Sequence, residues 1–172
     1  MEIERKFLLN SLPELDGAYR YRIEQAYIET EPVIRVRQRA DIKEDGSLDE
    51  SRYILTVKTS GLMAHEEFET DISKEAYDRL LKKACGNVIT KDRYVAGLGE
   101  GLKLELDIFH GAFEGLIMAE VEFPDEKTAH AFTPPAYVKE DVTMDGRFHN
   151  NRMSMMSDEE ITALLNSLCS PS

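Results

Sequence analysis

Apolar and polar residues alternate with period two along most of this chain, and turn residues separate the alternating stretches, which is the pattern of half-buried β-strands. The alternation predicts about eight strands, near residues 2–9, 21–30, 33–41, 51–59, 65–72, 87–95, 102–109 and 116–124. Turns are expected at Asp16-Gly17, Asp45-Gly46, Ser60-Gly61, Gly97 to Gly101 and His110-Gly111. The period becomes helical after Ser73, where Tyr77, Leu80, Leu81 and Ala84 share one face over about 74–85. It becomes helical again over 158–168, where Ser157 and Glu160 have capping-box spacing and Ile161, Leu164, Leu165 and Leu168 form an apolar stripe. A shorter helix after Asp125 must end before Pro134-Pro135. There is no internal repeat, low-complexity tract or linker, so residues 1–172 are expected to form a single domain.

What changes this picture is the composition of the polar faces. Glu2, Glu4 and Lys6 share one face of the first strand, opposite Ile3, Phe7 and the stem of Arg5. Arg35, Arg37 and Arg39 share a face of the third, opposite Ile34, Val36 and the polar exception Gln38. Ile54, Thr56 and Lys58 follow in the fourth, Glu67 and Glu69 around Phe68 in the fifth, and Lys91 and Arg93 in the sixth. Glu105 and Asp107 alternate with Leu104, Leu106 and Ile108 in the seventh; Glu120 and Glu122 flank Val121 in the eighth. A solvated face would account for any one strand. A solvated sheet normally intersperses the two signs, whereas here they are largely segregated by strand, and like charges two residues apart repel. Carboxylates at i and i+2 offer hard oxygen ligands suited to Mg²⁺ or Mn²⁺, and paired Arg and Lys offer donors to phosphate. The expected fold is therefore α+β: an eight-stranded antiparallel β-barrel whose charged interior forms a tunnel, with helices packed outside over its apolar surface.

The overall charge sharpens this reading. With 33 acidic against 21 basic residues and a net charge of −12, an extended contact with duplex nucleic acid is not expected, and a polyanion must be met in a local basic enclosure. No apolar run approaches the ~18 residues of a membrane span, and charged Glu2, Glu4, Arg5 and Lys6 replace a secretory leader, so a cytoplasmic protein is expected. Cys85 and Cys169 are read as small core residues rather than a disulfide. His65, His110, His130 and His149 lack zinc-site spacing and are read as ordinary loop or surface residues.

The opening Glu2-Ile3-Glu4-Arg5-Lys6-Phe7 resembles the ExExK signature of the CYTH superfamily, the triphosphate tunnel metalloenzymes. The resemblance continues in order through Arg35-Val36-Arg37, Leu55-Thr56-Val57-Lys58, Glu67-Phe68-Glu69, Lys91-Asp92-Arg93-Tyr94, Leu104-Glu105-Leu106-Asp107 and Glu120-Val121-Glu122-Phe123. A similar tail follows at Pro134-Pro135, Glu140-Asp141-Val142-Thr143 and Arg147-Phe148-His149-Asn150. Gln25-Ala26-Tyr27-Ile28 is similar to the second strand of short bacterial triphosphatases, in which a tyrosine partners the signature lysine. The resemblance implies a divalent-metal-dependent enzyme acting on a small-molecule triphosphate. It implies metal binding by Glu2, Glu4, Glu120 and Glu122, with Glu69 and Asp107 as further or outer ligands. It implies phosphate contact by Arg35, Arg37, Lys58, Lys91 and Arg93, with Arg39 and Arg147 divided between phosphate contact and ion pairing. Lys6, held by Tyr27, would orient the attacking water or stabilise the attacked phosphoryl group, and with metal bound would act as general base. Hydrolysis of inorganic tripolyphosphate to pyrophosphate and phosphate leads; a class IV adenylyl cyclase, a thiamine triphosphatase and a non-catalytic polyphosphate- or nucleotide-binding module are the alternatives. Oligomeric state is open, a homodimer included.

Overall fold

The chain builds one antiparallel sheet that rolls up and nearly closes on itself. In the computed structural model, which describes residues 1–59 and 61–169, its strands are β1 (Glu2–Leu9), β2 (Tyr19–Thr30), β3 (Val33–Asp41), β4 (Arg52–Lys58), β5 (Ala64–His65), β6 (Glu67–Asp71), β7 (Cys85–Gly99), β8 (Leu102–His110), β9 (Ile117–Phe123) and β10 (Val138–Asp141). Neighbours run in the order β10-β1-β9-β8-β7-β2-β3-β4-β6, with β5 also paired to β1. All eight predicted strands are present. The count rises to ten because the strand predicted over 65–72 is divided at Glu66 and because β10 was not anticipated. The division closes the barrel: β6 pairs β4, with Lys58 opposite Glu67, while β5 pairs β1, with Glu2 opposite His65. The rest of that edge of β1 is taken by β10 and by Thr143, whose hydroxyl accepts from the Lys6 amide at 3.0 Å. Ser60 of the expected Ser60-Gly61 turn lies outside the described residues.

Outward-facing apolar residues are covered by two helices. α1 (Lys74–Leu81) starts where the Ser73 hydroxyl accepts from the Ala76 amide, a cap that stabilises a helix by about 1 kcal/mol. Its Tyr77, Leu80 and Leu81 pack on Ala26, Val36, Tyr53 and Leu55. α2 (Glu126–Ala131), capped by Asp125, sets Ala129 among Ile3, Phe7, Val121 and Phe123. Arg5 belongs to this outer face: it pairs with Asp141 at 2.7 Å and donates to the Ala129 and Phe132 carbonyls.

The C-terminal helices take a different place. α3 (Asn150–Ser154) and α4 (Asp158–Leu168), the latter with the predicted Ser157–Glu160 capping box formed in both directions, contribute Met153, Ile161 and Leu164 to a cluster with Leu8, Tyr27, Val33, Ile89, Phe109 and Met118. Those last six residues occupy inward-facing positions, one at the same end of each of six staves. α3 and α4 therefore lie outside the sheet at one end of the barrel, as a plug, whereas the apolar stripe of α4 was expected on the barrel's flank. Burying each large apolar side chain there contributes roughly 1.5–3 kcal/mol. The approach of α3 to the start of β7 requires glycine at position 86, where φ is +75° and a Cβ would sit 2.0 Å from the Ser154 carbonyl oxygen. Cys85 lies in β7 rather than a helix and is half-buried, and Cys169 is exposed; both are free thiols. Among the described residues no helix is long and apolar enough to cross a membrane.

Candidate active site

Between the plug and the open mouth lies a cavity of about 490 Å³, within the range of small-ligand sites. Strand alternation delivers its lining: Glu2, Glu4 and Lys6 from β1, Arg35, Arg37 and Arg39 from β3, Lys91 and Arg93 from β7, and Glu120 and Glu122 from β9. Lys58 and Tyr27 join them, as do Glu105, Glu67, His149 and Asn150, which the sequence reading did not assign to the site.

The acids gather where β1, β5 and β9 meet. Register sets Glu4 opposite Glu122 and Lys6 opposite Glu120. One ligand atom from each of Glu2, Glu4 and His65 lies within 4.8 Å of the other two. Burial pushes the Glu2 carboxyl up to about 7; Glu67 and Glu4 act in the same direction, against His65 and Lys58. A buried carboxyl that is protonated part of the time near neutral pH gives up that proton to a bound cation, and the donors that meet here are mainly hard oxygens. The residues present therefore fit a divalent metal ion. His65 was read as an ordinary loop or surface residue; it is instead buried in β5, with Nε2 2.9 Å from Glu2. No sequence spacing could reveal this, because the two residues meet only across paired strands.

The Lys6 ammonium lies 3.1 Å from Glu120. Burial opposes its charge, but Glu120 and Glu4 outweigh burial and hold its pKa above the ordinary value, so Lys6 is a cation without metal. Among the described residues no hydrogen bond joins Lys6 to Tyr27, but the two interact electrostatically, and Tyr27 both lines the cavity and packs in the apolar cluster of the plug. Lys58 reaches Glu2 and Glu67 at 3.5 and 3.6 Å.

The remaining cations divide by strand. Lys91 meets Asp107 at 2.6 Å, and Arg93 meets Asp107 at 2.7 Å and Glu105 at 2.6 Å. Asp107 is thus buried and shared by two cations, while Glu69 is exposed, accepting a 3.4 Å hydrogen bond from Thr56 and interacting with Glu67; neither lines the cavity. On β3, by contrast, no carboxylate pairs with Arg35, Arg37 or Arg39 among the described residues. Among the described residues Arg35 has a buried Nε without a hydrogen-bond partner, a 3.5 Å contact to Thr56 and an electrostatic interaction with Glu67, and Arg39 stacks 3.6 Å from the Tyr21 ring centroid. Arg147 turns away to Asp145 at 2.6 Å and does not line the cavity.

No family model matches the chain. An inorganic triphosphatase of Nitrosomonas europaea is 34% identical over 155 residues, covering 90% of this chain and 97% of that protein. An inorganic triphosphatase of Acetivibrio thermocellus is 30% identical over 155 residues, covering 88% and 92% respectively. A crystal structure of an inorganic triphosphatase superimposes with a TM-score of 0.64 at 32% identity, over 91% of this chain and 96% of that one. With a near-closed antiparallel barrel, acids and cations facing one another across its cavity, and relatives matched over almost their full length, the chain belongs to the inorganic triphosphatases of the CYTH superfamily.

Proposed function

We propose that this protein hydrolyses inorganic tripolyphosphate to pyrophosphate and orthophosphate with the help of Mg²⁺ or Mn²⁺. The observation that carries this reading is the pair Arg35 and Arg37, buried or half-buried cations without a carboxylate partner, sharing a cavity with the acids of β1 and β9. Unrelieved positive charge in an enclosed site is a standing demand for an anion, and guanidinium forks match phosphate oxygens.

Glu2, Glu4, Glu120 and Glu122 would hold the metal. A divalent ion there supplies Lewis-acid neutralisation of the phosphate charge. Arg35, Arg37 and Lys58 bind the phosphates, with Lys91 and Arg93 completing the positive wall. Water forms the new bond to a terminal phosphorus, the bridging P–O bond breaks, and pyrophosphate leaves. Lys6, a protonated ammonium in the free protein, stabilises negative charge on the attacked phosphoryl group; this is transition-state work rather than substrate binding.

The test is product analysis after incubation with Mg²⁺ and tripolyphosphate, thiamine triphosphate or ATP. Orthophosphate and pyrophosphate should form from tripolyphosphate with the highest kcat/KM of the three. Dominant cyclic AMP formation from ATP, with tripolyphosphate only inhibiting, would contradict the assignment.

A further inference from the structure

Gln25 is the polar exception on the inward face of β2, between Ile23 and Tyr27, and it is completely buried. Strand register sets it opposite Arg37, and its Oε1 accepts from Arg37 Nε at 3.2 Å and Nη2 at 3.0 Å. Its Nε2 donates to Asn150 Oδ1 at 3.0 Å, and the same Asn150 oxygen accepts from Lys91 Nζ at 3.1 Å. Each amide is locked in one orientation. Turning Gln25 over would aim its NH₂ group at the guanidinium, and turning Asn150 over would aim two donors at a third.

The identity of the partner matters more than the number of bonds. Arg93 is gripped by the carboxylates of Asp107 and Glu105, which supply geometry and cancel charge together. Gln25 supplies the geometry alone. Burial, then the neighbouring Arg35 and Arg93, push the Arg37 pKa down to about 10, with Tyr27 and Tyr21 acting the other way and no carboxylate among the main causes.

We propose that Gln25 and Asn150 are positioning residues that aim Arg37 at the phosphate chain while leaving its charge uncompensated for the substrate. This rests on the triphosphate reading and adds to it the device that keeps one phosphate-binding cation unpaired in a cavity rich in acids. Asn150, at the start of α3, also ties that device to the plug and to Lys91, so the closed end of the barrel fixes the orientation of two cations.

Gln25→Glu separates this role from a structural one, because glutamate keeps the shape and the acceptor for Arg37 and adds a negative charge, while the lost donation to Asn150 is read separately as a change in the urea midpoint. A structural role predicts a protein that binds as the wild type does. The proposal predicts that the Kd for tripolyphosphate, titrated by calorimetry in EDTA, rises at least tenfold, and that with Mg²⁺ the KM rises while kcat stays within threefold. An unchanged Kd in a folded Gln25→Glu protein would overturn it. Should that variant not fold, Asn150→Ala provides the second test: a KM raised at least fivefold with kcat within threefold supports the proposal, and a lowered kcat with unchanged KM overturns it. Wild-type protein that binds no tripolyphosphate would overturn the triphosphate reading itself.

Discussion

The two basic walls of the cavity are alike in sequence and opposite in electrostatics. β3 carries Arg35 and Arg37, and β7 carries Lys91 and Arg93, both as i, i+2 pairs on the inward face. On β7 each cation is matched by Asp107, with Glu105 added for Arg93. On β3 the partners are a threonine hydroxyl and a glutamine amide, both neutral. The strands beside them cause the difference: β8, next to β7, brings Glu105 and Asp107 inward, while β4 and β2, flanking β3, bring Thr56 and Gln25. A basic strand motif therefore does not by itself specify a phosphate site. The neighbouring strand decides whether its charge is spent on the wall or kept for a ligand.

The largest expected effect falls on β3. Replacing Arg35 and Arg37 together by Met removes two charge-assisted contacts worth about 1.5–3 kcal/mol each, so kcat/KM for tripolyphosphate should fall by about 10²–10⁴ in steady-state assays. The fold should persist, since like-charge repulsion is relieved. On β7 the loss should appear as stability. Asp107→Asn leaves buried Lys91 and Arg93 short of their counter-charge, and breaking a buried pair costs about 3–5 kcal/mol, read as a lowered urea midpoint. Equal stability of this variant and the wild type would erase the distinction between the walls. Lys6→Ala should lower kcat by about 10²–10³ with little change in KM, since oxyanion-type contacts contribute about 2.7–4 kcal/mol. A raised KM with intact kcat would make Lys6 a third member of the binding wall. Exposed Glu69→Gln should fall within about 0.5 kcal/mol of wild-type stability and leave turnover unchanged.

The staves and their inward charges were legible because period-two alternation fixes which residues share a face, and same-sign pairs at i, i+2 need a reason. Capping chemistry located the start of α4 for the same local reason. A barrel was legible, but the short strands at its closing edge were not, since β5 has two residues and β10 four, too short for any period to register. The plug left a trace that was available: on the inward face Lys6 gives way to Leu8, Asp107 to Phe109, Lys91 to Ile89, Arg35 to Val33 and Glu120 to Met118. Read across antiparallel strands, these switches all fall at one end. The role of Gln25 had a weaker trace, a lone amide on an otherwise apolar and aromatic face. The pairing of Asp107 with Lys91 and Arg93 had none, because it depends on which strands become neighbours.

The central claim is that β3 holds charge in reserve for a linear triphosphate, and thermal unfolding with and without tripolyphosphate in EDTA addresses it without relying on turnover. A ligand that binds only the native state stabilises it by about 2.7 kcal/mol at a hundredfold excess over Kd. The wild-type Tm should rise with tripolyphosphate concentration, and the Arg35→Met, Arg37→Met double variant should start at an equal or higher Tm and show no rise. A double variant stabilised by tripolyphosphate as strongly as the wild type would contradict the account.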